Sequence, residues 1–258
     1  MTDQVEIAWR QRRVQIEYAW INRTASDRPL LVFLHEGLGS VAMWRDFPQR
    51  LCDALSCSGL AYSRPGYGRS TPRDPAEPFE IDFLHAQAHE VLPALLAALA
   101  ISAPPWLFGH SDGGSIALLF AARFPTAGVV VMAPHIFVED LSIASIEQAR
   151  VAYLSGDLRQ RLARFHDDPD SAFFGWNSTW LLPQFRDWNI EAELATITGP
   201  LLAIQGADDA YGTLAQIHGI AAKLPQTSLL VLQGCGHSPQ RDQPEALVSA
   251  VTDFFGRN

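Results

Sequence analysis

The chain has 258 residues, of which 48% are hydrophobic and 18% charged, and its formal net charge is −9. This length and apolar content predict one domain with a large core, and no low-complexity tract indicates disorder. The acidic balance argues against nucleic acids and anionic membranes as partners, because both bind basic patches. The densest basic run, RQRR at 10–13, is short and typical of a solvated hairpin edge.

The predicted compartment is the cytoplasm. The N-terminus MTDQVEIAWR has no signal-peptide pattern, and no apolar run approaches the length of about 18 residues that a spanning helix needs. Cys52, Cys57 and Cys235 are odd in number and lack metal-site spacing. We therefore expect three reduced thiols that behave as small buried hydrophobic side chains.

Taken in chain order, the apolar patterns predict strands that alternate with helices. The predicted strands are 5–9, 13–20, 30–35, 59–64, 105–110, 128–134, 201–206 and 228–234. The predicted helices are 42–56, 80–100, 112–124, 213–223 and 240–256, with Pro93 as the site of a kink in the second. This alternation indicates an α/β fold with a mostly parallel sheet covered on both faces, and the first two strands predict an antiparallel edge.

The alternation breaks between 135 and 199, a stretch that is too long for a plain connection and rich in aromatic residues. We interpret it as a small helical cap over the carboxyl edge of the sheet, inserted between the core segments 1–134 and 200–258. Several of its aromatic side chains must form its own core, and others are candidates for an apolar substrate pocket. The pocket candidates are Phe137, Trp176 and Trp180, together with Glu36, Leu38 and His110 from the core.

Residues Gly109 to Gly113 read Gly-His-Ser-Asp-Gly and fall between a predicted strand and a predicted helix. Glycines two positions before and after Ser111 allow the strand and helix to approach closely, which pushes the serine hydroxyl out above the sheet. The helix N-terminus there favours developing negative charge. The pattern indicates a nucleophile, and the alternative is a glycine-rich turn that Ser111 caps.

A serine nucleophile needs a base, and the base needs a carboxylate that orients it. His237 follows the last strand in a glycine-containing loop and is the best of the eight histidines for this role. Asp208 and Asp209 follow the preceding strand, and Glu139 and Asp140 are a lesser alternative. The oxyanion hole requires two N–H donors, one after the nucleophile and one in the loop LHEGLGS at 34–40.

The other candidate sites are weaker. His85 and His89 lie four residues apart on a predicted helix, but no third metal ligand is evident. The loop PGYGRS at 65–70 lacks the phosphate-binding pattern, and no dinucleotide fingerprint opens the sheet. We therefore expect neither a metal nor a cofactor.

The five motifs VFLHEGLGS, YSRPGYGRS, LFGHSDGGSIAL, LAIQGADDAYG and GCGHSPQRDQPE occur in order along nearly the whole chain. Together they resemble the α/β-hydrolase family, in particular its bacterial, capped, carboxylesterase-like subgroup. The resemblance implies Ser111 as nucleophile, His237 as base and Asp209 as the acid, with Asp208 in reserve. It also implies the N–H groups of Asp112 and Gly37 as oxyanion donors, with Leu38 in reserve.

The chain departs from the family pattern in two loops. Glu36 follows His35 where a glycine is common, which affects the oxyanion loop, and Ser63 or Arg64 stands where an aspartate is common, which affects a structural hydrogen bond. The side chain of Asp112 must point away from the oxyanion, so we expect it to serve the first turn of its own helix.

The predicted function is hydrolysis of carboxylic esters with small or medium acyl groups, by way of an acyl-enzyme. Thioesters, lactones and C–C bonds next to a carbonyl are open alternatives, as is a non-catalytic ligand receptor with the same fold. The serine excludes enzymes that use an aspartate nucleophile. Glu36 and Asp112 beside the predicted site, together with the acidic chain, favour neutral or cationic substrates. The chain is expected to be a monomer or a homodimer.

Overall fold

A computed structural model describes residues 2–23, 28–73 and 80–258. Within these ranges one sheet of eight strands runs through the molecule in the order β1-β2-β4-β3-β5-β6-β7-β8. The strands are β1 (Asp3–Trp9), β2 (Arg12–Ile21), β3 (Leu30–Leu34), β4 (Ser58–Tyr62), β5 (Trp106–His110), β6 (Gly128–Met132), β7 (Leu201–Gly206) and β8 (Ser228–Leu232).

The sheet is mostly parallel, as predicted. β1 and β2 form an antiparallel hairpin with Val5 opposite Ile16, and β2 pairs with β4 in the same sense. The remaining neighbours are parallel. The residues of β4, β5, β6 and β7 are buried throughout because helices cover both faces of the sheet, which explains their continuous apolar runs.

The core helices are α1 (Phe47–Leu55), α2 (Phe83–Ala86), α3 (Leu92–Ala98), α4 (Asp112–Ala121), α9 (Ala215–Lys223), α10 (Pro239–Asp242) and α11 (Pro244–Phe255). Two predicted helices are broken. The helix predicted at 80–100 consists of α2, a π-helical turn at Gln87–Val91 and α3, because Pro93 has no N–H to continue the α-helical ladder. Pro244 separates α10 from α11 in the same way.

Two apolar clusters lie on opposite faces of the sheet. One contains residues of α1 and α11 and the three cysteines, which are buried and free, in line with the expectation for them. The other contains residues of α2, α3, α4 and α9 and also most of the large aromatic side chains between 135 and 199.

The segment between β6 and β7 carries α5 (Asp140–Ser155), α6 (Leu158–Leu162), α7 (Pro169–Trp180), a 3-10 helix (Pro183–Asp187) and α8 (Glu191–Leu194). Its aromatic rings pack on one another: Phe185 lies 4.9 Å from Trp180 and 5.6 Å from Trp188 between ring centroids. These rings join the apolar cluster on the sheet, so the segment shares the main core. Its assignment as a cap domain at 135–199 stays a prediction.

Of the helices in the described ranges, none is both long enough and apolar enough to cross a membrane.

Candidate active site

Ser111 occupies a turn of one residue between β5, which ends at His110, and α4, which begins at Asp112. Its backbone is strained, with φ 53° and ψ −120°, a region that non-glycine residues rarely adopt. A Cβ on Gly109 would collide with the backbone of Gly113, and one on Gly113 with the Leu34 carbonyl. The close approach predicted for both glycines is thus present. Ser111 is the N-cap residue of α4, but its hydroxyl makes no capping hydrogen bond.

His237 and Asp209 are in direct contact. The Nδ1 atom of His237 lies 2.9 Å from Oδ1 and 2.8 Å from Oδ2 of Asp209, so a proton on Nδ1 is held by the carboxylate. Asp209 also accepts hydrogen bonds from the Tyr211 N–H at 2.7 Å and from the Gln205 amide at 2.7 Å. Burial opposes its ionisation, but the hydrogen bond and charge of His237, together with the Tyr211 N–H and His135, lower the pKa of Asp209 below its ordinary value.

The alternative acids lie elsewhere. Asp208 is exposed. Glu139 accepts hydrogen bonds from the Thr213 hydroxyl and the Gln216 amide, at 2.6 and 2.7 Å. Asp140 is paired with Arg186 at 2.5 Å on the surface.

His110 supports the loop that carries His237. Its Nε2–H donates to the backbone carbonyl of His237 at 2.7 Å. Its Nδ1 lies 3.3 Å from the Gln240 amide and 3.5 Å from the Glu36 carboxylate. Burial is the largest influence on Glu36 and opposes ionisation, yet the neighbouring His110 lowers the pKa of Glu36 far below its ordinary value. Glu36, whose side chain is 17% exposed, and the buried His110 are both predicted pocket residues, and they form a pair beside the histidine loop.

The side chain of Asp112 does not serve its own helix, contrary to expectation. Its carboxylate is fully buried, accepts a hydrogen bond from the Trp180 indole at 3.1 Å and pairs with Arg64 at 3.4 Å. Burial raises the pKa of Asp112, which Arg64 and Trp180 oppose. The carboxylate thus faces partners from α7 and from the loop after β4.

The loop at 34–40, which is predicted to supply an oxyanion donor, lies under α7. A Cβ on Gly37 would collide with the Trp176 indole, so this ring lies directly on the glycine. The backbone carbonyl of the neighbouring Glu36 accepts a hydrogen bond from Gly39 at 3.0 Å and another from Arg64 at 2.8 Å. Leu38, the reserve donor, is half-buried, and its carbonyl lies 2.9 Å from Nε2 of His166.

The remaining pocket candidates differ in exposure. Trp180 is fully buried, with its ring 5.0 Å from that of His135, and Phe137 is half-buried. A cavity of about 320 Å³ lies between the β1–β2 hairpin, the loop after β4 and α7, but its lining includes none of the six predicted pocket residues. Its α7 wall is formed by Ser171, Gly175 and Thr179.

Sequence reasoning missed two buried groups. Arg64 was noted only as a departure, although it contacts both the oxyanion loop and Asp112. Glu17 on β2 was not noted: its carboxylate accepts a hydrogen bond from the Ser63 hydroxyl at 2.8 Å and one from the Arg69 N–H at 2.9 Å. Glu17 falls on the polar phase of the alternating pattern VQIEY at 14–18, so the sequence carries no signal that its carboxylate is buried.

His85 and His89 are not part of this site. His85 lies 3.5 Å from Glu193, and Nε2 of His89 lies 3.2 Å from the Leu119 carbonyl. In the described part of the chain, no group of three or more His, Cys, Asp or Glu side chains is placed to hold a metal ion.

Residues 31–250 match the family model described as the alpha/beta hydrolase family. The chain therefore belongs to the α/β hydrolase family. It is 24% identical over 251 residues to a pimeloyl-acyl-carrier-protein methyl ester esterase of Aeromonas salmonicida, covering 88% of this chain and 96% of that one.

Two further relatives extend the comparison. The biotin biosynthesis bifunctional protein BioHC of Cellvibrio japonicus is 28% identical over 193 residues, which is 64% of this chain but only 38% of that longer protein. The structure of a thermophilic esterase from Thermogutta terrifontis superposes with a TM-score of 0.73 at 17% identity, covering 100% of this chain and 98% of that chain. At that identity the superposition shows a shared fold.

Proposed function

We propose that the protein is a serine hydrolase that cleaves carboxylic esters of small or medium acyl groups, with Ser111, His237 and Asp209 as its catalytic triad. The observation that carries the proposal is the double contact of Asp209 with His237 Nδ1, at 2.8 and 2.9 Å, in a loop that is bound by His110, the residue before Ser111. The methyl ester esterase among the relatives supports the bond type.

In the proposed reaction, Ser111 Oγ attacks the acyl carbon while His237 Nε2 takes the hydroxyl proton. Asp209 holds the proton on Nδ1 and stabilises the imidazolium that forms. The tetrahedral intermediate collapses when His237 gives the proton to the alcohol oxygen and the C–O bond breaks. Water then attacks the acyl-enzyme, with His237 again as the base, and releases the carboxylic acid and free Ser111. No cofactor or metal is required.

The N–H groups of Gly37 and Asp112 are the proposed oxyanion donors. Asp112 is the first residue of α4, so its N–H has no partner within the helix and points toward the helix N-terminus. Each such donor is typically worth about 3 kcal/mol in the transition state. The side chain of Asp112 is bound by Arg64 and Trp180, and we expect these contacts to keep its charge out of the hole.

The size limit on the acyl group is supported by the position of Trp176 on Gly37. A ring lying on the oxyanion loop restricts the space around the acyl carbon, and Trp176 and Leu38 are the proposed walls of that space. Ionised Glu36 near the loop supports a preference for neutral or cationic substrates over anionic ones.

The test is a series of p-nitrophenyl esters from acetate to dodecanoate, together with mapping of the residue labelled by a fluorophosphonate. We expect kcat/KM to be highest for short and medium chains and the label to lie on Ser111. Ser111→Ala should abolish both, whereas Ser115→Ala, one turn further along α4, should keep both. Full activity of Ser111→Ala would refute the triad, and an unlabelled protein would favour the non-catalytic receptor.

A further inference from the structure

Arg64 is a cation at the centre of the site that the proposed reaction does not use. It follows β4 and is 1% exposed. Its Nη2 donates to the Glu36 carbonyl at 2.8 Å, its Nη1 lies 3.4 Å from Asp112 Oδ2, and its guanidinium lies 4.6 Å from the centre of the Tyr67 ring. Burial of a charge is costly unless partners compensate for it, and here two of the partners are Asp112, a proposed oxyanion donor, and Glu36, the residue before the other proposed donor, Gly37.

The first of these contacts controls the direction of the Gly37 N–H. The Glu36 carbonyl and the Gly37 N–H belong to one planar, trans peptide, so they point in opposite directions and an anchored oxygen fixes the N–H. The oxygen has three donors: Arg64 Nη2 at 2.8 Å, Gly39 N at 3.0 Å and His35 Nδ1 at 2.7 Å. His35 is in turn held by the backbone N–H of Arg64, which donates to its Nε2 at 3.1 Å. Arg64 therefore acts on this peptide both directly and through His35.

The second contact concerns the other donor. Asp112 provides its N–H to the proposed hole, and its own carboxylate is bound by Arg64 and by Trp180. The guanidinium is rigid and planar, so two of its nitrogens tie the start of α4 to the peptide before Gly37 with a set spacing.

We propose that Arg64 is the positioning residue of the oxyanion hole, which it builds by joining the loop after β3 to the turn after β5. The proposal rests on the proposed serine hydrolase function. It differs from a purely structural ion pair in one consequence: loss of Arg64 should weaken binding of the tetrahedral state more than binding of the substrate.

The experiment compares Arg64→Lys and Arg64→Met with the wild type. Lysine keeps the charge but not the two-pronged geometry, and methionine removes both. Arg69→Met is the matched control, because Arg69 lies in the same loop with an exposed side chain. The measurements are kcat and KM for a p-nitrophenyl ester, the rate of phosphonylation of Ser111, and Ki for a trifluoromethyl ketone, which forms a tetrahedral adduct with the serine.

Complete loss of one oxyanion donor lowers kcat by about 10²–10³-fold in a serine hydrolase. Because Arg64 orients donors without being one, we expect kcat to fall roughly 10- to 100-fold in Arg64→Met, with KM changed less than about 3-fold. Ki for the ketone and the phosphonylation rate should worsen by the same factor as kcat/KM. Arg64→Lys should lie between the wild type and Arg64→Met, and Arg69→Met should match the wild type.

The outcomes separate the two proposals. A wild-type protein that is not phosphonylated at Ser111 overturns both. The role of Arg64 alone is overturned if the wild type is labelled and the folded Arg64 variants keep the wild-type kcat. It is also overturned if these variants have a lower kcat but an unchanged Ki for the ketone. If the variants do not fold, the crystal structure of phosphonylated wild type decides. The phosphonyl oxygen should accept from Gly37 and Asp112 while Arg64 still binds Glu36 and Asp112, and a displaced guanidinium would refute the proposal.

Discussion

Replacement of Asp209 by asparagine isolates the role of the buried carboxylate. The contact of 2.8 Å between the carboxylate and His237 Nδ1 places the charge centres about 4 Å apart, where opposite charges attract by about 4 kcal/mol at an effective dielectric constant near 20. That attraction is available only when His237 is protonated, as it is during attack by Ser111. Its loss corresponds to a fall in kcat of roughly 10³-fold, since each 1.36 kcal/mol is a factor of ten.

The assay is kcat/KM for a short p-nitrophenyl ester, with Asp208→Asn as the matched control. Asp208 is the neighbouring residue, carries the same charge and is exposed, so its variant should stay within a factor of about two of the wild type. Thermal unfolding checks that Asp209→Asn is folded at the assay temperature. The reasoning is refuted if Asp209→Asn keeps more than a tenth of the wild-type activity, or if Asp208→Asn is the variant that loses it.

Three further outcomes follow from the same contacts. Gly113→Ala should lower the free energy of unfolding by more than about 3 kcal/mol in urea, because the new methyl group meets backbone that cannot move aside. Trp180→Phe should cost about 1.5–3 kcal/mol more than Trp188→Phe, because only Trp180 donates to a carboxylate, that of Asp112, whereas the Trp188 N–H has no partner among the described residues. Glu36→Gln should make the free energy of unfolding depend less on pH in the acid range, below about pH 4.5. The folded protein lowers the pKa of Glu36 below its ordinary 4.5, so ionised Glu36 stabilises the fold above about pH 4.5 and loses that effect as the pH falls below it.

The elements around Ser111 could be predicted because their signals are local. A strand that turns into a helix within one residue needs glycines on either side. Both glycines lie within the five consecutive residues 109–113, so a short sequence pattern is enough to predict the turn. The loop of Asp209 follows β7, which is buried throughout, and the loop of His237 follows β8, a partly buried edge strand. The apolar runs of both strands are equally local signals. Pro93 likewise marked the place where the helix predicted at 80–100 is interrupted, although not the π-helical turn that interrupts it.

The directions of the polar side chains could not be predicted in this way. The carboxylate of Asp112 was expected to serve its own helix because the macrodipole is the only interaction that a local pattern contains. Its actual partners, Arg64 and Trp180, are 48 and 68 residues away in the chain. A hydrogen bond to a charged group is typically worth about 1.5–3 kcal/mol, against about 0.3–1 kcal/mol for the helix dipole, so tertiary contacts decide the orientation.

The departures from the family pattern are each matched by a second residue. Where an aspartate is common, Ser63 donates to the carboxylate of Glu17, which reaches in from β2 and also accepts from the Arg69 N–H. Where a glycine is common, Glu36 brings a carboxylate that lies against His110. An unpaired charge at the buried position of Glu17 would cost several kcal/mol, so Glu17 depends on the hydrogen bonds that the Ser63 hydroxyl and the Arg69 N–H donate to it.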